Sequence, residues 1–368
     1  MQTIPFYSLE SQHQQVDEEL LRSFKAVLSK NWFILGNALE AFENEYSAFH
    51  GLKYCAGVGN GYDALCLCLR ASGLHDGDEV LVPANTYIAT WLAVSNTGCT
   101  IVPVEPDPQT YTIDIQGIEA KITSKTKAIL PVHLYGNPCD MTAIMDIARR
   151  HDLRVIEDNA QSHGARWSGK ITGSFGEINA TSFYPTKNLG ALGDGGAITT
   201  DNEALLNRVK QLRSYGFSAK NVCDETGVNS RLDEVQAAIL QIKLKHLNEW
   251  NAQRSAIASQ YMRELDDVAD IQLPVSDQRA THAYHLFVIQ TTFRDRLRER
   301  LSAANVQTMV HYPIPPHLQR AYEFMGYEKG SFPVTESLAA RVVSLPLWPG
   351  MDQDQVSYIC DVIRRSYL

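Results

Sequence analysis

Short apolar segments alternate with longer amphipathic segments between about residue 50 and residue 200. The apolar segments are rich in Val, Ile, Thr and aromatic residues, which is typical of β-strands. The strands predicted in this way are 79–83, 100–105, 127–136, 154–158, 180–185 and 196–200. The helices predicted between them are 61–71, 86–97, 141–151 and 202–213. This alternation predicts an α/β fold in which helices cover both faces of a mostly parallel sheet.

The pattern changes after Gly227. A long and strongly periodic helical segment occupies 230–265, and we expect one interruption within it. A smaller α+β region follows, because strand and helix patterns there are few and short. Its predicted elements are a strand at 282–290, a helix at 293–305 and a C-terminal helix after Pro349.

This change of pattern predicts two domains. The large domain would comprise residues 1–245, including an N-terminal helix at 15–30, and the small domain residues 246–368. The helix at 15–30 leads into the apolar segment NWFILG at 31–36. We expect that segment to lie across the sheet or against a partner.

Composition and charge restrict the function. The chain has 368 residues, 44% of them hydrophobic and 20% charged, as in an ordinary globular protein. Its formal net charge is −9, and no run of Lys or Arg forms a basic stripe. An acidic surface repels the phosphate backbone, so nucleic-acid binding is disfavoured. A small anionic substrate remains compatible, because a few local donors can bind it.

The lack of a recognisable targeting signal and the pattern of cysteines favour a cytoplasmic protein. The seven cysteines are irregularly spaced and no C-x-x-C motif occurs in the sequence, which favours reduced thiols. The N-terminus lacks the charged and apolar regions of a signal peptide. No apolar run approaches the ~20 residues that span a bilayer. We therefore expect a cytoplasmic protein without membrane attachment.

A glycine-rich turn precedes the helix predicted at 61–71. In AGVGNGYDAL (56–65), Asn60 is suited to cap a helix that starts at Gly61. A helix N-terminus exposes N–H groups and favours a phosphate, although a tight turn without a ligand has the same pattern. Tyr62 prevents the G-x-G-x-x-G arrangement of dinucleotide-binding turns, and no P-loop is present.

Two strand ends carry a candidate acid and a candidate stacking ring. Asp158 ends the strand 154–158, where open α/β sheets bind ligands, and it could keep a pyridine nitrogen protonated. A helix N-cap is the alternative role for this carboxylate. Tyr87 follows the strand 79–83 and could stack on a flat ring, although many such aromatic residues are core residues.

The most informative lysine is Lys187, within SFYPTKNLGALGDGGA (182–197). Most lysines are solvated surface groups. Lys187, however, lies in a nearly uncharged, glycine-rich segment in which a cation adds nothing to solubility. Desolvation there would lower its pKa and favour the neutral amine that imine formation requires. Ser182, on the preceding strand, is placed to reach a phosphate.

A helix-terminal phosphate site, a stacking aromatic residue, an aspartate and a lysine are the parts that pyridoxal 5'-phosphate (PLP) requires. Their joint occurrence predicts a PLP enzyme. The segments that contain them resemble those of the DegT-type sugar aminotransferases, which have the PLP fold type I, over nearly the whole chain. The most specific match is SFYPTKNLGALGDGGA, and the resemblance extends to SLPLWPG at 344–350.

The resemblance implies the role of each site residue. Lys187 would carry PLP as a Schiff base and move the catalytic proton, and Asp158 would pair with the pyridinium nitrogen. Tyr87 would stack on the ring, and Gln161 would approach its phenolic oxygen. The residues implied for the phosphate are Gly61, Tyr62, Ser182 and, from the neighbouring subunit of a homodimer, Asn229.

A finer resemblance concerns the substrate. The segments 85–94, 131–141, 161–163 and 311–319 are similar to those of enzymes that aminate the 3-keto position of dTDP-linked 6-deoxyhexoses with L-glutamate. The residues expected near the hexose or the nucleotide are His163, Tyr184, His311 and Tyr312. The chain departs from the usual pattern at Tyr62, Cys139 and Asn159, which bears on pocket shape.

Other functions stay open from the sequence. A 4-keto-sugar aminotransferase has the same motifs, and a regulatory PLP-binding protein would need no turnover. A related enzyme with His in place of Lys dehydrates its substrate, so Lys187 favours transamination. The broken glycine pattern disfavours a nicotinamide oxidoreductase. No metal site is expected, because His282 and His285 would face opposite sides of a strand.

Overall fold

The computed structural model describes residues 3–367. The α-helices are α1 (Glu10–Lys30), α2 (Asn37–His50), α3 (Gly61–Ala71), α4 (Ile88–Asn96), α5 (Ile115–Glu119), α6 (Met141–Arg150), α7 (Glu203–Leu212), α8 (Glu234–Leu265), α9 (Arg294–Ala303), α10 (Pro333–Arg341) and α11 (Gln353–Ser366). Short 3₁₀ turns occupy Leu134–Gly136, Pro316–Leu318 and Arg320–Met325. Within residues 3–367 no helix has both the length and the apolar character needed to cross a membrane.

The strands form one large sheet and several small ones. They are β1 (Tyr54–Val58), β2 (Glu79–Pro83), β3 (Thr100–Val104), β4 (Thr126–Ile129), β5 (Arg154–Asp158), β6 (Arg166–Trp167), β7 (Lys170–Ile171), β8 (Ile178–Ser182), β9 (Gly196–Thr200), β10 (Phe217–Ala219), β11 (Val222–Cys223), β12 (Ala280–Thr281), β13 (Phe287–Gln290) and β14 (Val342–Leu345). The seven-stranded sheet has the order β1-β9-β8-β5-β4-β2-β3.

The predicted α/β fold with a mostly parallel sheet is confirmed. β8, β5, β4, β2 and β3 are mutually parallel, and only β9 runs antiparallel to its neighbours β1 and β8. These strands are buried on both faces, which explains their nearly continuous apolar sequences. Because β2, β5 and β8 point the same way, their carboxyl ends meet at one edge of the sheet.

Two predicted strands are too long, and a third, predicted at 180–185, is observed at Ile178–Ser182. The segment 127–136 is a strand only as far as Ile129, because Pro131 cannot donate to a ladder and Tyr135 adopts a φ of 61°. The segment 282–290 is a strand only from Phe287, because Tyr284 has a φ of 44° and stacks its ring on His282. Both shortened segments become turns that contact the candidate site.

The predicted interruption of the long helix is wrong. α8 is continuous over 32 residues, since it contains neither Gly nor Pro. Its first half packs Leu240 and Leu247 into a core shared with α2, and its second half packs Tyr261 and Leu265 into another core with β13 and α11. The domain boundary expected at 245/246 lies within this helix and stays a prediction.

The apolar segment Trp32–Leu35 lies against the start of α8 rather than across the sheet. Ile34 forms an antiparallel bridge with Asp233, and all four side chains are exposed. The buried Glu234 carboxylate fixes the next turn, because it accepts hydrogen bonds from the N–H groups of Gly36, Ala38 and Leu39 at 2.8–2.9 Å. Glu234 therefore caps α2 from another helix.

We predict that Glu234→Ala lowers the free energy of unfolding by about 3 kcal/mol, because one buried and two half-buried N–H groups lose their acceptor. The measurement is the urea denaturation midpoint. Glu40→Ala is the matched control, since this exposed glutamate lies on the same helix; a change within about 0.5 kcal/mol is expected for it. Equal midpoints for the two variants would contradict the capping role.

Candidate active site

The carboxyl end of β5 supplies a buried acid. The Asp158 carboxylate accepts a hydrogen bond from Thr90 Oγ1 at 3.0 Å and one from the Ala160 N–H at 3.1 Å. Burial raises the pKa of Asp158 above its ordinary value, although both donors and the nearby Lys187 oppose that rise. Glu157 points to the opposite face, where it pairs with His133 at 2.8 Å. The structure thus separates a structural carboxylate from one that faces the site.

Lys187 lies in the turn that follows β8. Burial lowers its pKa to about 8, although the Asp158 carboxylate partly opposes this change. The pKa of a solvated lysine is ~10.4, so burial greatly increases the fraction of neutral amine near neutral pH. A neutral amine is a nucleophile and a base, which is the chemistry that the sequence predicted for this residue.

The turn around Lys187 is anchored on both sides. The Asn188 side chain, which is buried, donates from Nδ2 to Asn251 Oδ1 and to Ala283 O, each at 2.8 Å. Lys243 Nζ donates to Gly190 O at 2.8 Å. Asn251 and Lys243 both belong to α8, so the long helix holds this turn at two points. Two anchors fix the backbone from which the reactive amine extends.

The N-terminus of α3 lies beside the end of β8. Asn60 caps the helix as predicted, and its side chain accepts from the Asp63 N–H at 2.8 Å. This cap leaves the N–H groups of Gly61 and Tyr62 without a helical partner. A Cβ at Gly61 would lie 2.5 Å from Ser182 Cβ, so only glycine permits this approach. The result is a small polar cradle at a helix N-terminus.

Three aromatic and amide side chains form the wall next to Asp158. The Tyr87 ring is about half exposed, and its centroid lies 5.3 Å from that of Tyr312. Gln161 donates from Nε2 to Tyr312 Oη at 3.0 Å and accepts from the Tyr135 N–H at 2.6 Å. The Gln161 amide keeps one further N–H, so its predicted contact with a ring oxygen stays a prediction.

The expected substrate residues fall into two groups. His163 is buried, and its Nε2 lies 2.9 Å from Ser182 O, so it supports the end of β8. His311 is bonded through Nδ1 to Ser344 Oγ at 2.7 Å. Tyr184, by contrast, is 54% exposed and is available to a ligand. Asn229 is exposed and bridges the backbone of Ser214.

Sequence reasoning missed two contributors. Thr90, which holds Asp158, lies one helical turn after Tyr87, and its only sequence signal is that spacing. Asn188 directly follows Lys187, but its partners Asn251 and Ala283 are more than 60 residues away along the chain. No local pattern encodes such a contact.

A desolvated lysine and a carboxylate at the carboxyl edge of a parallel sheet, next to a capped helix N-terminus, define an aminotransferase-type enzyme. The chain belongs to the DegT/DnrJ/EryC1/StrS aminotransferase family, whose sequence profile matches residues 14–364. The fold and family expected from the sequence are thereby confirmed.

Two characterised relatives and one solved structure are similar over nearly their whole length. A dTDP-3-amino-3,6-dideoxy-alpha-D-galactopyranose transaminase of Aneurinibacillus thermoaerophilus is 47% identical over 362 residues, which are 98% of this chain and 99% of the relative. The erythromycin biosynthesis sensory transduction protein EryC1 of Saccharopolyspora erythraea is 46% identical over 361 residues, 98% and 99% of the two chains. S. venezuelae DesV, solved in complex with a ketimine intermediate, superposes with a TM-score of 0.97 at 44% identity, covering 99% and 98%.

We predict that Lys187 in the cofactor-free chain reacts with acetic anhydride with a midpoint near pH 8, as its pKa of about 8 requires. Asp158→Asn should move that midpoint to lower pH, because the lost carboxylate had favoured the charged ammonium. Peptide mass analysis across a pH series measures the midpoint at this residue alone. A midpoint that rises in Asp158→Asn would contradict the pairing of the two groups.

Proposed function

We propose that the chain is a PLP-dependent aminotransferase that transfers the amine of L-glutamate to the 3-keto group of a dTDP-linked 6-deoxyhexose. The product is a dTDP-3-amino-3,6-dideoxyhexose. The observation that carries the proposal is the desolvated amine of Lys187 beside Asp158, at the strand ends that also face the α3 cradle. The names of the Aneurinibacillus relative and of the superposed structure's reaction complex support this choice of chemistry.

The residues present fit PLP. The open N–H groups of Gly61 and Tyr62, together with the Ser182 hydroxyl, would hold its phosphate, since a helix N-terminus favours an anion. Because Gly61 has no Cβ, the helix N-terminus comes close enough to Ser182 for both to contact one phosphate. Tyr87, half exposed above the same edge, would cover one face of the ring. When bound, PLP supplies an electron sink that makes a C–H bond next to the amino nitrogen acidic.

Lys187 supplies the amine that holds the cofactor and the base that moves a proton. A pKa of about 8 leaves an appreciable neutral fraction at neutral pH, so Nζ can act as a nucleophile. The same pKa suits a group that accepts a proton from carbon and later returns it. The anchors at Asn188 and Gly190 keep Nζ in one place during both steps.

Asp158 would keep a proton on the pyridine nitrogen of bound PLP. Thr90 and the Ala160 N–H orient its carboxylate and favour the ionised form, whereas burial alone disfavours it. A protonated ring nitrogen next to Asp158 would compensate the buried negative charge. The acid is thus positioned by protein donors before the cofactor binds.

The substrate would enter at the exposed side of the site. Tyr184 precedes the Lys187 turn with half of its surface open, and Tyr312 presents its ring beside Tyr87. His311 holds the backbone next to Tyr312 through its bond to Ser344. His163 contributes indirectly, because its contact with Ser182 O fixes the strand end that carries the cradle. We propose these four residues as determinants of hexose and nucleotide position.

A homodimer with shared sites completes the proposal. Trp32, Phe33 and Leu35 are exposed although they are large and apolar, which favours a partner surface. Asn229 is exposed on the segment next to the cradle, so a partner's site is a natural place for its amide. A cytoplasmic location, where sugar nucleotides occur, stays part of the proposal.

A regulatory PLP-binding role is the second candidate, because the Saccharopolyspora relative is named a sensory transduction protein. It would require cofactor binding without turnover. A 4-keto sugar as the amine acceptor is a variant of the first candidate. Product analysis separates all three.

We predict that the purified protein, given a dTDP-3-keto-6-deoxyhexose and ¹⁵N-labelled L-glutamate, forms a sugar with ¹⁵N at carbon 3. Lys187→Ala should form less than about one thousandth as much, because the nucleophile and base are both lost. The measurement is mass spectrometry with ¹H–¹⁵N correlation of the product. With a dTDP-4-keto-6-deoxyhexose in place of the 3-keto sugar, label at carbon 4 would favour the 4-keto variant, and cofactor binding without product from either sugar would favour the regulatory role.

We predict that Asn229→Asp weakens PLP binding, because a carboxylate would repel the phosphate across the subunit boundary. Mixing it with Lys187→Ala should restore activity to about a quarter of the wild-type level, since half of the dimers then carry one intact site. The measurement is amine transfer before and after subunit exchange. No recovery on mixing would contradict a site shared in this way.

A further inference from the structure

A buried ion pair lies outside the residues that carry the chemistry. Glu43, on α2, and Arg213, directly after α7, are joined by a 2.7 Å contact between Oε1 and Nη1. Only 11% and 6% of the two side chains are exposed. A buried pair costs desolvation and is therefore weak evidence for stability by itself, so its role is sought in the groups that it contacts.

The pair grips the free edge of the large sheet at Gly57. Glu43 Oε1 accepts from the Gly57 N–H at 2.7 Å, and Arg213 Nη1 donates to Gly57 O at 2.7 Å. β1 is the edge strand, and Ala197 of β9 lies on its other side. Two side chains therefore satisfy edge groups that a further strand would otherwise pair. Gly57 is required here, since a Cβ would lie 2.7 Å from Leu39 Cδ1.

The main chain of Arg213 holds a second segment. Its carbonyl accepts from the Ser230 N–H at 3.0 Å, and the next residue, Ser214, bridges Asn229. Ser230 Oγ in turn accepts from the Gly59 N–H at 2.9 Å and donates to Asp63 at 2.6 Å. Gly59 lies two residues before Gly61. A chain of hydrogen bonds thus connects Gly57 to Arg213, Arg213 to Ser230, and Ser230 to Gly59.

We propose that the Glu43–Arg213 pair positions the phosphate-binding turn and the Asn229 segment together, and so sets the affinity for the cofactor's phosphate. This inference rests on the proposed function, since it assigns the phosphate to the α3 cradle. Neither residue touches the cofactor; both are positioning residues. In a dimer with shared sites, one pair would adjust a chain's own cradle and the asparagine that it offers to its partner.

The geometry separates this role from general stabilisation. Nη1 of Arg213 donates to Glu43 and to Gly57 O at once, so both bonds depend on the position that the long guanidinium side chain gives to this one nitrogen. A lysine at 213 keeps the charge, but its shorter, unbranched side chain would not place a nitrogen at the position of Nη1. The turn at residues 59–61 would then shift, while Asp158 at the end of β5 and Lys187 in the turn after β8 would keep their arrangement.

The test compares PLP with pyridoxal, which has the same ring and aldehyde but no phosphate. Dissociation constants of both ligands are measured by visible absorbance for the wild-type protein, Arg213→Lys and Glu43→Gln. We expect PLP binding to weaken about tenfold or more, and pyridoxal binding to change less than about twofold. Arg208→Lys is the matched control, because this arginine lies on α7 and pairs with Glu225 while 44% of its own side chain is exposed. It should change neither constant.

A second variant addresses loss of folding. Ser230→Ala removes the hydrogen bond to Gly59 without altering the buried pair. Like the other two variants, it should bind PLP more weakly and leave the affinity for pyridoxal nearly unchanged. Equal weakening of PLP and pyridoxal, or no change in either, would overturn the positioning role while wild-type PLP binding still supports the proposed function. Failure of the wild-type protein to bind PLP would overturn both.

Discussion

The desolvation of the Lys187 amine is the constraint on which the rest of the site depends. Removing an ammonium group from water disfavours its charge, and burial lowers the pKa of Lys187 to about 8. Asp158 acts in the opposite direction and keeps part of the charge. Such a balance persists only if the backbone cannot carry the lysine out to solvent. The hydrogen bonds of Asn188 to Asn251 and Ala283, and that of Lys243 to Gly190, prevent this movement.

The parallel sheet brings the other residues of the proposed site next to Lys187. β2, β5 and β8 end at one edge, so the residues that follow them, Tyr87, Asp158 and the Lys187 turn, converge without any sequence proximity. The antiparallel β9 lies between β8 and β1 in the sheet, so β1 runs parallel to β8. The carboxyl end of β1 therefore lies at the same edge, where it leads into α3 and the cradle. α8 holds the Lys187 turn near its middle and packs its second half into the core formed with β13 and α11. Asn188 bonds both to Asn251 on this helix and to Ala283 in the segment before β13. Fold and chemistry are therefore inseparable in this region.

The sequence patterns predicted the elements that local chemistry determines. The helix at 61–71 and the strands at 79–83, 154–158 and 196–200 have the predicted bounds, because capping and β-branched runs are local signals. The prediction of 127–136 as one strand was wrong, since the chain turns at Tyr135 to meet Gln161. Lys187 and Asp158 were proposed from composition and position, and the structure brings the two groups close enough to influence each other's pKa. Arg213 and Asn188 were not, because their partners are brought close only by the complete fold.

The most direct test of the account is to reduce the PLP-loaded protein with borohydride and to map the pyridoxyl group by peptide mass spectrometry. We expect the pyridoxyl group on a single residue, Lys187, and we expect Lys187→Ala to lack the visible absorbance band. Lys243 is the informative competitor, because burial lowers its pKa to about 8 as well. A pyridoxyl group on Lys243, or a protein that remains colourless with added PLP, would contradict the assignment of Lys187 as the residue that carries the cofactor.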